Sequence, residues 1–129
     1  MDIAQVVQQL NVLPGSVVVE SGTGSASLSY SLSQAVGKTG HLHTFEFNEE
    51  RWQNAQHVLQ KQLNVENVTC YHRDVYAEGF SCTLAENTIE SDYADAVFLD
   101  LPKPFDAIVH AKKILKRNGK VCTFSPCIE

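Results

Sequence analysis

Four carboxylates and one glycine-rich turn carry the chemistry available to this sequence. Glu20-Ser21-Gly22-Thr23-Gly24-Ser25-Ala26 follows a β-branched run, Val17-Val18-Val19, and precedes a helical apolar pattern. Glycines in that context let the backbone pass close to a ligand, and the helix N-terminus offers free N–H groups to the ligand's polar end. The same residues also serve as a plain tight strand-to-helix turn. Glu46 lies near the end of a second extended run, where a carboxylate can accept both hydroxyls of a ribose. Asp74 follows a third run and Asp100 a fourth. Acids at the carboxyl ends of successive strands lie where open α/β sheets hold ligands. A solvated strand-end acid is the plainer reading, and the flanking Phe45 and Phe47 weigh against it for Glu46.

Two residues count against a dinucleotide. Ala26 fills the slot where the pyrophosphate fingerprint wants a third glycine, and Glu20 would repel a pyrophosphate while suiting an ammonium group. S-adenosylmethionine carries an ammonium and a sulfonium and no phosphate. In Asp100-Leu101-Pro102-Lys103-Pro104-Phe105 two prolines stiffen the segment. An acid beside an aromatic ring there can bond an exocyclic amine while the ring stacks on a base. Adenine N1 already has an in-plane lone pair, so its methylation needs positioning and charge stabilisation rather than a base. A helix cap with prolines in the first turn explains the same segment and is compatible with that role.

The elements that must position these residues follow from periodicity. Ile3, Val6, Val7 and Leu10 predict a short helix that Pro14-Gly15 ends. Ser16–Glu20 reads as a strand buried on both faces. Leu28, Leu32, Ala35 and Val36 predict a helix stopping at Gly37, and His41–Phe47 a second strand, which makes a βαβ unit. Asn48 can cap the next helix, with Glu49 and Glu50 in its first turn and Trp52, Ala55, Leu59 and Leu63 as its buried stripe. Residues 67–71 predict a third strand, residues 79–94 a solvated loop or irregular crossover, and Asp95–Leu99 a fourth strand. Phe105, Ile108, Ala111 and Leu115 stripe a helix that Asn118-Gly119 would terminate before a fifth strand, Lys120–Ser125. This alternation predicts a doubly wound, mostly parallel α/β sheet.

Composition narrows the rest. The 129 residues suit one domain of ordinary size and exclude a multi-domain enzyme, and 43% apolar content supports a real core. A net charge of −5 argues against gripping nucleic acid through overall charge. Lys112, Lys113, Lys116, Arg117 and Lys120 form a basic cluster, for which complementing a helix C-terminus is preferred to a phosphate-binding patch. No apolar run approaches a membrane span and the start lacks a signal peptide's pattern, so the chain reads as intracellular and soluble. Cys70, Cys82, Cys122 and Cys127 lack Cys-x-x-Cys spacing and read as reduced thiols. His41 and His43 share a strand face without a third ligand nearby, and no metal is assigned.

These residues together resemble a known family, the catalytic subunit of eukaryotic tRNA (adenine-N1)-methyltransferase, which modifies the T-loop adenine at position 58. The resemblance runs through Pro14-Gly15-Ser16-Val17-Val18, Glu20 to Ser25, Gly40 to Thr44, Glu46-Phe47, Asp74-Val75, Gly79-Phe80, Ala94 to Asp100 and Phe124 to Glu129. It implies a Rossmann-like core of a class I S-adenosylmethionine-dependent methyltransferase lacking the last strands. By position, Ser21, Gly22, Thr23, Gly24, Ser25, Ala26, Ser27 and Leu28 would line the methionine and ribose of S-adenosylmethionine. Glu46 would hold the ribose, Arg51 the nearby edge, Asp74 and Val75 the adenine, and Asp100 both cofactor and target base as the catalytic residue. Ala26 stands where the family usually has glycine, and Lys103-Pro104-Phe105 where Ser-Pro-Trp is more usual.

The resemblance further implies a tRNA substrate, a non-catalytic tRNA-binding partner subunit in a heterotetramer, and a nuclear location. The family has a β-rich domain before this core and further strands after it, so the chain looks like one incomplete methyltransferase core truncated at both ends. Two other readings stay open: a methyltransferase acting on protein, and a catalytically incompetent module that binds a partner.

Overall fold

The computed structural model describes residues 12–22, 27–63, 65–80, 82–84, 87–89, 93–101 and 104–123. The helix expected from Ile3 to Leu10, the Thr23–Ala26 turn and the segment from Phe124 onward, with Cys127, lie outside the described residues.

Strand β1 (Val17–Ser21) leads to helix α1 (Ser27–Val36), strand β2 (His41–Glu46) and helix α2 (Glu49–Gln56), which widens into a π-helical turn over His57–Gln62. Strand β3 (Val68–His72), helix α3 (Val75–Glu78) and the short strands β4 (Cys82–Leu84) and β5 (Asn87–Ile89) follow. Strand β6 (Ala94–Leu99), helix α4 (Pro104–Ile114) and strand β7 (Leu115–Thr123) complete the order. Five strands pair in the order β3-β2-β1-β6-β7, all parallel. The chain moves outward from β1 to β3 and then returns to the other side of β1, so a topological switch point falls between β1 and β6.

Alternation along the strands explains the two-sided core. Val18, Leu42 and Phe98 pack beneath α1 and α2 with Leu32, Val36, Ala55 and Leu59. Val19, Phe45, Val97 and Leu99 face the other way, against Ala107, Ala111 and Ile114 of α4. Because both faces are covered, β1 and β6 need continuous apolar runs. The open carbonyls at the end of α1 are met from another element: Asn67 Nδ2 donates to the carbonyls of Ser33 and Gly37 at 2.8 and 2.7 Å.

Asn48 caps α2 as expected, its side chain accepting from Arg51 N at 3.0 Å. Leu63 does not continue the stripe. The wide turn, with Leu63 N bonded to Val58 O, rotates Leu63 outward to 45% exposure, and Val65 takes the buried place. Residues 79–94, expected as a loop or crossover, contain the antiparallel pair β4–β5 with Cys82 opposite Ile89. Three-residue strands are too short to show a period in sequence.

The end of α4 also differs from expectation. The helix stops at Ile114, and β7 begins at Leu115, which pairs with Ala94 while Lys120 pairs with Ala96. The intervening Lys116–Gly119 stretch bulges from the sheet. Gly119 fits because a Cβ there would lie 2.6 Å from Leu115 Cδ1 and 3.0 Å from the Asp95 carbonyl oxygen. It therefore marks a close approach within the bulge and not a helix stop.

Candidate functional site

The ends of β1, β2 and β6 are joined around Gly22. Its amide donates to the Phe45 carbonyl, and the Asp100 amide donates to the Ser21 carbonyl, both at 2.9 Å. Gly22 has φ +90°, and a Cβ would sit 2.1 Å from the Asp100 carbonyl oxygen. No side chain fits there. In front of this junction opens a cleft of about 540 Å³, lined by Gly22, Glu46, Phe47, Asn48, Arg51, Asp74, Tyr76, Asp100 and Leu101. It lies at the carboxyl ends of β1, β2, β3 and β6, beside the switch point.

Three carboxylates and one guanidinium line this cleft. Glu46 is buried and accepts from Asn48 N at 3.1 Å, which fixes its carboxylate at the start of α2. Asp74 caps α3 by accepting from Tyr76 N at 3.1 Å. Partial burial, and then the charge of Glu46, push the Asp100 carboxyl above the usual range. Such a cleft disfavours phosphates and suits a ligand bearing positive charge, hydroxyls and amines.

Glu20 stands behind the lining. Its Oε1 accepts from the Ser29 hydroxyl of α1 and from the Thr44 hydroxyl of β2, the latter at 2.9 Å. Oε2 is buried with no hydrogen-bond partner among the described residues. Complete burial raises its pKa to about 7, opposed by the two hydroxyls and reinforced by Asp100 and Glu46.

Of the residues expected in a cofactor site, Gly22, Glu46, Arg51, Asp74 and Asp100 meet in this cleft. Ser21 is buried beside it and contributes its carbonyl to the junction. Leu28 packs on the core beneath α1, and Val75 is buried beneath the opposite face, so neither is among the lining residues. Thr23, Gly24, Ser25 and Ala26 lie outside the described residues, as do Pro102 and Lys103. Phe47, Asn48, Tyr76 and Leu101 were not expected as lining. Phe47 and Leu101 directly follow the acids Glu46 and Asp100, a positional signal that was available in the sequence.

His43 is fully buried, with its ring nitrogens 2.7 Å from Tyr71 Oη and 2.8 Å from Tyr93 Oη. Burial, with His41 beside it, lowers its pKa to about 3, so it is a neutral link between strands. Among the described residues no three His, Cys, Asp or Glu side chains converge as a metal site, and no helix is long and apolar enough to cross a membrane. Cys70 is a buried free thiol, and burial pushes it up to about 12.

The family model for the tRNA methyltransferase complex GCD14 subunit matches residues 1–129. The chain is 44% identical over 130 residues to the tRNA (adenine(58)-N(1))-methyltransferase catalytic subunit TRM61 of Candida albicans, covering 99% of this chain and 37% of that protein. It is 43% identical to the Dictyostelium discoideum catalytic subunit trmt61a, covering 100% of this chain and 40% of that one. Among solved structures, a SAM-dependent O-methyltransferase from Thermotoga maritima superposes with a TM-score of 0.84 at 32% identity, over 98% of this chain and 44% of that one. The tRNA (m1A58) methyltransferase TrmI from Aquifex aeolicus gives 0.80 at 26% identity, over 98% and 46%. The chain thus spans less than half the length of each of these relatives. The sheet is the Rossmann-like sheet of class I methyltransferases.

Proposed function

Since the chain belongs to the GCD14 family of tRNA methyltransferase complex subunits, we propose that it is the S-adenosylmethionine-binding core of a catalytic subunit that methylates N1 of adenine 58 in tRNA. The observation that carries the reading is the acidic cleft at the switch point, with Glu46, Asp74 and Asp100 converging on a glycine that admits no side chain. The residues fit S-adenosylmethionine: carboxylates answer its ammonium, sulfonium, ribose hydroxyls and adenine amine, and no phosphate needs a place.

When bound, S-adenosylmethionine supplies a methyl group activated by the positive sulfonium. Glu46 holds the ribose diol, Asp74 the adenine end, and Gly22 lets the backbone lie close to the cofactor. Adenine N1 offers its own lone pair, so no residue has to remove a proton beforehand. Asp100, just past β6, holds the exocyclic amine of the target base and offsets the positive charge of the N1-methylated product. Ser21 to Ser27 and Arg51 complete the proposed cofactor set, to which Leu28 and Val75, whose side chains pack into the core, would contribute through their backbone. We extend the reading, on resemblance, to a non-catalytic tRNA-binding partner in a heterotetramer and to a nuclear site of action.

Calorimetry with S-adenosylhomocysteine tests the cofactor. Binding that weakens about tenfold or more in Glu46→Ala is expected, in line with the loss of a charged hydrogen-bonding partner; absent binding, or binding indifferent to the substitution, sinks the assignment. Labelled donor with unmodified tRNA or with protein separates the substrates. Label in protein alone would refute the tRNA reading in favour of a protein substrate. Cofactor binding without transfer to either would mark a partner-binding module.

A further inference from the structure

The cluster Lys112, Lys113, Lys116, Arg117 and Lys120 holds five of the ten basic residues. A helix C-terminus accounts for only part of it. With α4 ending at Ile114, only Lys112 and Lys113 lie in its last turn, and the dipole effect fades within that turn. Lys116 pairs with Asp95 at 3.1 Å. Arg117 and Lys120 lie beyond the helix, exposed, and have no ion-pair partner among the described residues.

The bulge thus holds Arg117 out from the sheet, and Lys120, in the strand just past it, is exposed as well, with no ion pair among the described residues using either cation. They also continue a face. Phe105 and Val109 of α4 are 72% and 61% exposed, and with Lys112 and Lys113 they follow the i, i+4, i+7, i+8 spacing of one helix side. Ala107, Ala111 and Ile114 occupy the buried side. Helix α4 starts shortly after Asp100 and Leu101 of the cleft lining. The exposed side thus runs from an aromatic ring at the cleft end to cations roughly 12 Å further along the helix, with Asp106 on its flank.

We propose that the exposed side of α4 and the β7 bulge form a docking track for the tRNA substrate, Phe105 stacking on an unpaired base and Lys113, Arg117 and Lys120 meeting backbone phosphates. The proposal rests on the tRNA reading above. A cleft with three carboxylates repels phosphates, and the chain is acidic overall, so an RNA backbone needs a separate local surface of opposite sign. An aromatic ring followed by cations is the combination that single-stranded RNA accepts. Lys116 stays with Asp95.

Fluorescence anisotropy with an unmodified tRNA transcript across a salt series tests it, with S-adenosylhomocysteine calorimetry on the same samples. In the triple variant K113E/R117E/K120E, tRNA affinity should fall about tenfold or more and the log–log salt slope by roughly 2. S-adenosylhomocysteine affinity should not change. Phe105→Ala should weaken tRNA binding roughly fivefold without moving the slope. Wild-type affinity and slope in the triple variant overturn the proposal, as does a wild-type chain that binds S-adenosylhomocysteine but no tRNA. Displacement of tRNA by poly-glutamate at matched charge would assign the surface to acidic protein instead. Failure of S-adenosylhomocysteine binding alone, with patch-dependent tRNA binding intact, would fault the cofactor reading and leave this surface standing.

Discussion

Glu20 and Gly22 set the character of the site without touching each other's chemistry. Glu20 is wholly buried with a pKa near 7, above the ordinary 4.5. The folded chain thus binds this proton more tightly than the unfolded one, so the stabilisation is fully present below about pH 4.5 and is lost as pH rises through about 7. A shift of that size corresponds to about 3 kcal/mol. Glu20→Gln keeps an oxygen for the Ser29 and Thr44 hydroxyls and never ionises. In thermal melts from pH 5 to pH 8 the variant should gain on the wild type steadily, and parallel pH curves would refute a neutral Glu20. Gly22 poses a steric problem instead. Gly22→Ala places a Cβ against the Asp100 carbonyl at a positive φ, which should cost at least about 1–3 kcal/mol and displace Asp100. Urea unfolding together with S-adenosylhomocysteine titration would read both losses. An unchanged urea midpoint would contradict the packing described.

At the scale of elements, the decisive contact is between the starts of β1, β6 and β7. Asp95 Oδ2 accepts from Val17 N at 2.8 Å, and Oδ1 accepts from Lys116 Nζ at 3.1 Å. The first bond satisfies a part-buried backbone donor and the second is an exposed ion pair. Asp95→Ala should therefore cost about 1–3 kcal/mol, and Lys116→Ala under about 1 kcal/mol. Equal losses in urea midpoints would show that the ion pair, not the backbone bond, anchors the bulge. This bulge also marks where sequence stops being legible. The runs at Val17–Ser21 and Ala94–Leu99 are apolar because both faces are covered, and Asn48 caps through a local bond; each leaves a local signature. Asn118-Gly119 also looks like a helix stop, yet its geometry is fixed by Leu115 and Asp95, contacts that no local pattern encodes. The acids of the cleft were readable because strand ends were. Tyr76 was not, since it arrives on a four-residue helix capped by Asp74.

At the scale of the whole molecule, charge is divided: an acidic cleft at one end of the strands and cations at the β7 bulge, beside the other end of β6. On the proposed function, that division lets one small chain attract a cationic cofactor and a polyanionic substrate without either charge cancelling the other. The cofactor half has a global consequence. Its lining comes from β1, β2, β3 and β6, and these ends meet only in the folded state. A ligand binding there must stabilise the sheet as a unit rather than one loop. At a concentration about 100 times its dissociation constant, S-adenosylhomocysteine should add about 2.7 kcal/mol, a rise in melting temperature of roughly 10 °C for a chain of this size. The rise should shrink in Glu46→Ala at the same concentration, because the carboxylate is fixed in the folded chain by the Asn48 amide and has no such geometry when unfolded. The triple variant K113E/R117E/K120E, altered at the far end, should show the full rise. A shift of equal size in Glu46→Ala and the wild type would mean that the ligand stabilises some other part of the fold, and the cleft would lose its claim to the cofactor.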